Sequence, residues 1–330
     1  IQIGGRTYTE TVSALTLSAI LAGSGASLVK TGNGLLQLGG ANVFGGSVRV
    51  SGGGLVIANN SNPTSQVVTG LGFTPILSGP VGTGTLTMAD GTRLLVENNA
   101  TRTIANPTVF EGSTMVFDKL IGANNSLLVI NGSITPTLNS GALNLNVISP
   151  YMTATLMGPI TNAASVTSIT QSGLGSVGIN LTGMSTSIPM TFNGGNTLGL
   201  FTDGDGTGSA GTITFSGAIA YNTLATVPTI NIGRAGQALL SQQALNKQII
   251  LSALTLDGLA NGLTVANANQ YGLSLPNNIT LNGSVTFDLD SSVDYLVVGG
   301  GGGGGAHVGG GGGGGGVLAS TLDLLSDTSL

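Results

Sequence analysis

Residues Ile20 to Ala58 read ILAGSGASLVKTGNGLLQLGGANVFGGSVRVSGGGLVIA, and this stretch decides the fold. It breaks into short apolar runs, each closed within a few residues by Gly, Asn or Ser. A strand turns successive side chains to opposite faces, so Leu36 and Leu38, or Val48 and Val50, share one face while the residue between them points away. The glycines supply the turns. Runs of three to five residues are too short for helices and arrive too often for a compact sandwich, which spaces its turns more widely.

The same grammar continues outward from this stretch. Thr83 to Met88, alternating from Thr85, Arg93 to Val96, Thr114 to Phe117, Ala142 to Val147, Thr212 to Phe215 and Val285 to Leu289 all read as short strands bounded by Gly, Asn or Asp. One segment departs from it: Gln237 to Lys247 is a Gly-free run of helix formers, compatible with a short helix carrying Leu240 and Ala244 on one face, or with a strand continuing through Ile249 to Leu256. A looser recurrence links PTVFEGSTMVF from Pro107, PMTFNGGNTLGL from Pro189 and PNNITLNGSVTF from Pro276. Their turn glycines are Gly112, Gly194 and Gly283. Such recurrence predicts stacked coils with variable turns. At roughly 20 to 25 residues per coil and about 4.8 Å of rise, the chain would extend on the order of 65 to 80 Å.

Of 330 residues, 57 are Gly, 41% are hydrophobic and only 6% are charged, against about 25% charged in an average soluble domain. Disorder goes with low hydrophobicity and high net charge, and this chain has the reverse. There is no Cys, which excludes disulfides, thiolate catalysis and Cys-based zinc sites. The eight basic residues lie singly among thirteen acidic ones, so no cluster exists to neutralise phosphates and nucleic acid is not an expected partner. Apolar runs such as Gln248 to Leu256 fall short of the roughly 20 residues of a membrane helix, so no transmembrane segment is expected. The chain opens at Ile1 without a charged-then-apolar leader, which fits either a removed signal peptide, the favoured reading, or a fragment of a longer product.

Within the opening stretch, Gly23, Ser24 and Gly25, then Leu28, Lys30, Gly32, Gly34, Leu36 and Leu38, then Gly40, Asn42, Phe44 and Gly46, and finally Val50, Gly53 and Leu55 form a pattern that resembles the passenger-associated repeat of bacterial autotransporters. The resemblance covers residues 20 to 58, with looser similarity to about 290. It implies a right-handed parallel β-helix displayed at the cell surface, although the C-terminal membrane barrel of that family has no counterpart here. The stretch from Asp294 to Leu318 carries seven Gly from Gly299 to Gly305 and eight from Gly309 to Gly316. It resembles glycine-rich proteins of phage, viral and environmental bacterial origin. Side-chain-free backbone can pack closely as extended or polyproline-II strands, which suits lateral contact with another chain. Gln66 to Pro75 is similar to a short junction in phage tail fibres.

Parallel β-helices include polysaccharide-cleaving enzymes, whose chemistry needs several carboxylates on one face. Here the glutamates are Glu10, Glu97 and Glu111 and the tightest acidic group is Asp288, Asp290 and Asp294; alternation puts Asp288 and Asp290 on one strand face, a metal or acid pair in principle, with solvated residues at strand exits the favoured reading. Asp203 and Asp205, in DGDGTG, resemble half of a calcium loop without its bidentate Glu; they are the only Ca²⁺ candidates, and a tight turn is the favoured reading. His307 stands alone between the two glycine runs and can complete neither a triad nor a metal site. Tyr8, Tyr151, Tyr221, Tyr271 and Tyr295 are too dispersed for an aromatic sugar platform. Both ends look strand-competent; strand exchange between neighbours would hide the exposed edges, and capping within one chain is an equal alternative.

The sequence therefore predicts an all-β chain, with a Gly-rich parallel β-helix or β-solenoid over 1–290 and a glycine-rich assembly segment with a terminal strand over 291–330. The expected function is non-enzymatic and cofactor-free: an extracellular fibre or filament subunit whose partners are copies of itself, with cell-surface glycans or a host surface as a further partner. Alternatives are a monomeric autotransporter-type adhesin passenger and a phage tail-fibre adhesin. The expected assembly contacts are Ile1, Ile3, Tyr8, Tyr295, Val297, Gly301, His307, Gly312, Val317, Leu322 and Leu324.

Overall fold

A computed structural model describes residues 2–3, 6–7, 13–63, 68–69, 72–73, 75–138, 141–161, 165–180, 187–194, 197–202, 211–222, 228–234, 247–257, 263–267, 271–276, 278–282, 287–288, 292–298 and 317–323. The chain is all β, with long parallel sheets, as the alternation requires. Among the described residues no helix is long and apolar enough to cross a membrane. The chain divides into Ile1–Thr286 and Phe287–Leu330.

The first unit is a β-solenoid. Its middle coils show the winding: Arg93–Val96 enters a first sheet, Thr101–Ile104 a second and Thr108–Glu111 a third, and Thr114–Lys119 then returns to the first sheet beside Arg93–Val96. The first sheet runs from Ser13–Leu17 through to Gly272–Ser274 and Asn278–Asn282, both of which pair with Lys247–Asp257. The third occupies the early coils, from Leu28–Lys30 to Ile134–Thr137, and the second takes over later, from Thr101–Ile104 on through Leu263–Asn267. All three are parallel, which leaves each strand's backbone groups bonded to the coil before and the coil after.

Register turns the alternation into columns. Leu143, Ile169, Met190, Ile219 and Leu254 stand in line on successive rungs of the first sheet, all at 1% exposure or less. Such columns join into one hydrophobic core reaching from Leu36 to Tyr271. Leu35, Val56 and Leu95 alternate with inward residues and form a separate small cluster on the other side of the sheet, packed with Leu120. The turns stack as closely as the strands. A Cβ at Gly132 would land on the carbonyl oxygen of Asn106, and one at Gly158 on that of Gly132.

Coil length differs from the expected 20 to 25 residues. Leu35 pairs with Gly54, 19 residues on, whereas Ala218 pairs with Ala253, 35 residues on. Longer turns are absorbed outside the ladder, so fewer rungs stack than expected: the eleven on the path of the first sheet rise about 48 Å. At the candidate helix, Lys247 opens the eleven-residue strand Lys247–Asp257; residues 237–246 lie outside the described residues.

The second unit contains a two-stranded antiparallel ribbon, Ser292–Val298 with Val317–Asp323. Val298 is paired with Val317, so both ends of the glycine tract are fixed to one another across a ladder.

Candidate assembly surface

The first rung of the solenoid is built from Ser13–Leu17 and Leu28–Lys30. Each is the terminal strand of its sheet, pairing with Leu35–Leu38 and Val48–Val50 respectively. Inward residues of any interior rung are covered from both sides; those of an end rung are covered from one. Leu17, Leu21 and Leu28 accordingly pack on the core while only half-buried. Leu15, Ile20, Val29 and Val43 are 53%, 62%, 60% and 45% exposed. Isolated exposed apolar residues are ordinary, but four near one sheet terminus, with no ionisable residue between 13 and 29, make an apolar end. At the other terminus Leu281 continues the inward column of Tyr221 and Leu256 and is 42% exposed. No described strand of the first sheet lies beyond it.

Charge is placed to stabilise coils and is sparse at these ends. All three lysines of the chain are buried: Lys30 at 8%, Lys119 at 6% and Lys247 at 2% exposure. Lys30 shares an inward register with Val50, Met88 and Phe110, and its Nζ donates to the carbonyls of Thr31, Gly32 and Gly52 at 2.7 to 3.0 Å. Lys119 follows Val96 in register and donates to Asn98 Oδ1 at 2.7 Å and to the carbonyls of Leu120 and Gly122. Burial lowers the pKa of both. These ammonium groups pin turns where carbonyls converge, and this is what Lys30 does within the repeat-like motif. Asn42 and Asn106 act likewise as neutral pins. Asn42 accepts from Leu21 N and donates to the Pro80 carbonyl, and Asn106 donates to the carbonyls of Gly82 and Gly84. On the outer face of the third sheet Arg49 grips Glu111 through two 2.7 Å bonds, and these hold the Glu111 pKa down.

Of the residues expected to form contacts, Ile3 lies in the strand Gln2–Ile3, which pairs antiparallel with Arg6–Thr7. Tyr295 and Val297 pair with Ser320 and Leu318, Val317 with Val298 and Leu322 with Val293. The ribbon therefore joins the two expected strands to each other within one chain. Ile1, Tyr8, Gly301, His307, Gly312 and Leu324 lie outside the described residues, as do Asp203 and Asp205. The sequence reading missed the exposed apolar residues at this end, Leu15, Ile20 and Val29 on the first rung and Val43 on the next coil, whose amide donates to the Leu21 carbonyl. They look like any other strand or turn residues, and only their position at a sheet terminus distinguishes them.

Comparison with known proteins bears on the second unit. The model of one family, described as a glycine-rich domain, matches residues 279–330. No curated protein and no solved structure is similar to the chain.

Proposed function

We propose that this chain is an extracellular structural protein, a subunit that self-associates through the terminal rungs of its solenoid into a surface fibre. The observation that carries the reading is the apolar first rung, where two strands are the terminal strands of their sheets and Leu15, in register with inward Leu36, is 53% exposed, with Ile20, Val29 and Val43 exposed nearby. Parallel strands favour such stacking, because a second copy added head-to-tail continues the ladder of the first sheet in the same direction. Display outside the cell, in the manner of an autotransporter passenger, accords with the repeat-like motif of residues 20 to 58 and with the absence of Cys. The glycine-rich ribbon supplies a second contact between copies.

Negative-stain electron microscopy with light scattering tests this. The parent chain is expected to form filaments, and Leu15→Lys/Val29→Lys is expected to yield particles of one chain, 32.4 kDa. Single-chain particles from the parent overturn self-association and leave a monomeric adhesin. A stable trimer overturns it in favour of a tail-fibre architecture.

A further inference from the structure

The outer face of the first sheet carries an array unlike the rest of the surface. Thr114, Asn144, Thr170, Thr191, Ala220, Thr255 and Thr280 stand in unbroken register on seven successive rungs. Beside them runs a second column, Asn146, Ser172 and Asn193, preceded on the two earlier rungs by Arg93, which pairs with Asp118, and Val116. Ser172 Oγ donates to Asn144 Oδ1 at 2.9 Å, and Asn222 Nδ2 to Asn193 Oδ1 at 3.0 Å, so the side chains are held in place along the ladder. From Thr114 and Asn146 onward the residues of both columns are partly or fully exposed, and none is charged or large. Asp257, exposed at the border of the face, is the nearest ionised group along Lys247–Asp257.

The partner that this face suits must be uncharged, flat and hydrogen-bonding, with a fixed repeat. A protein partner fits poorly. The seven-rung column and its three-rung neighbour span about 29 by 7 Å, or roughly 200 Å², well below the approximately 800 Å² per side of a standard interface. No aromatic or Arg anchor is present among the named residues. A sugar chain normally meets an aromatic plane, and the two columns have none. A water lattice fits on each count. The hydroxyl and amide groups recur at about 4.8 Å along the axis and about 7 Å along the strand, close to the oxygen repeats on the prism face of ice. The Thr methyls add apolar area between them, and a rigid parallel ladder keeps the spacing fixed.

We propose that the outer face of the first sheet, centred on Thr170 and Thr191, binds ice. This goes beyond self-association and does not depend on it. The test is inhibition of ice recrystallisation by the full chain, the double variant Thr170→Lys/Thr191→Lys, and the control Thr135→Lys on the outer face of the third sheet. The parent is expected to inhibit. The double variant is expected to need at least tenfold more protein, with the control unchanged and all three melting alike by circular dichroism. Activity absent from the parent, retained by the double variant or equally lost in the control overturns the assignment. So does a lateral dimer that the double variant disrupts without any effect on ice.

Discussion

Tyr221 is the clearest case of a single residue at odds with its surroundings. Its ring stacks on Phe192 with centroids 5.1 Å apart, completing an aromatic pair in the column that begins at Met115 and Leu145. Its hydroxyl is buried and, among the described residues, is the only buried side-chain polar atom without a hydrogen bond; burial raises its pKa. A donor taken from water and left unsatisfied costs about 1 to 3 kcal/mol. Tyr221→Phe keeps the stack and removes the cost, so it is expected to raise stability by about 1 kcal/mol or more in denaturant melts. Lys30→Met should do the opposite and cost about 2 to 3 kcal/mol, because three turn carbonyls lose a charged donor. Asp118 is raised in pKa, first by desolvation and against the pull of the Lys119 amide and the Arg93 charge. Its unfolded form ionises first, so native stability falls as pH rises through the interval just above 3.8. Asp118→Asn, whose carbonyl still accepts from the Lys119 amide, is expected to melt higher than the parent at pH 7 and to converge with it below that interval.

At the scale of elements, turns specify the stack as strongly as strands do. Gly112 and Gly194, with φ of +92 and +121, adopt a backbone that other residues resist, and both close the recurrent Pro, strand, Gly, strand unit. Gly158 is constrained differently, by the carbonyl of Gly132 one coil below. Gly158→Ala is expected to push two coils apart and cost about 3 kcal/mol or more, as steric clashes against backbone do; Gly25→Ala, where a Cβ meets nothing, should cost under about 1 kcal/mol. Chemical denaturation of the pair checks this. Elsewhere glycine makes room for an aromatic ring: Phe201 occupies the space over Gly178 and Gly199.

For the whole molecule, stability is a sum over rungs, each contacting its neighbours along the axis. The hydrophobic core ends at Tyr271 and the half-buried Leu273 and Leu275, before the second unit begins at Phe287. Deleting residues 292–330, from the ribbon onward, is therefore expected to leave the melting of the solenoid within a few degrees of the parent, followed by circular dichroism. Loss of cooperative melting would mean that the ribbon is part of the solenoid's stability.

Alternation of apolar and small polar residues, closed by Gly and Asn, determined the strands without any tertiary information: Arg93–Val96 and Ala142–Val147 are found where the sequence places them. Period-2 patterning is a local property, so it survives in the sequence. The columns are not local. That Thr170 lies on Thr191, that Lys30 and Lys119 point inward to close turns, and that Leu15 and Val29 sit on an end rung depend on how many residues each turn absorbs. That count varies from coil to coil with little effect on the strands. Register across coils, and hence every face and edge on which function could rest, was decided by the tertiary structure alone.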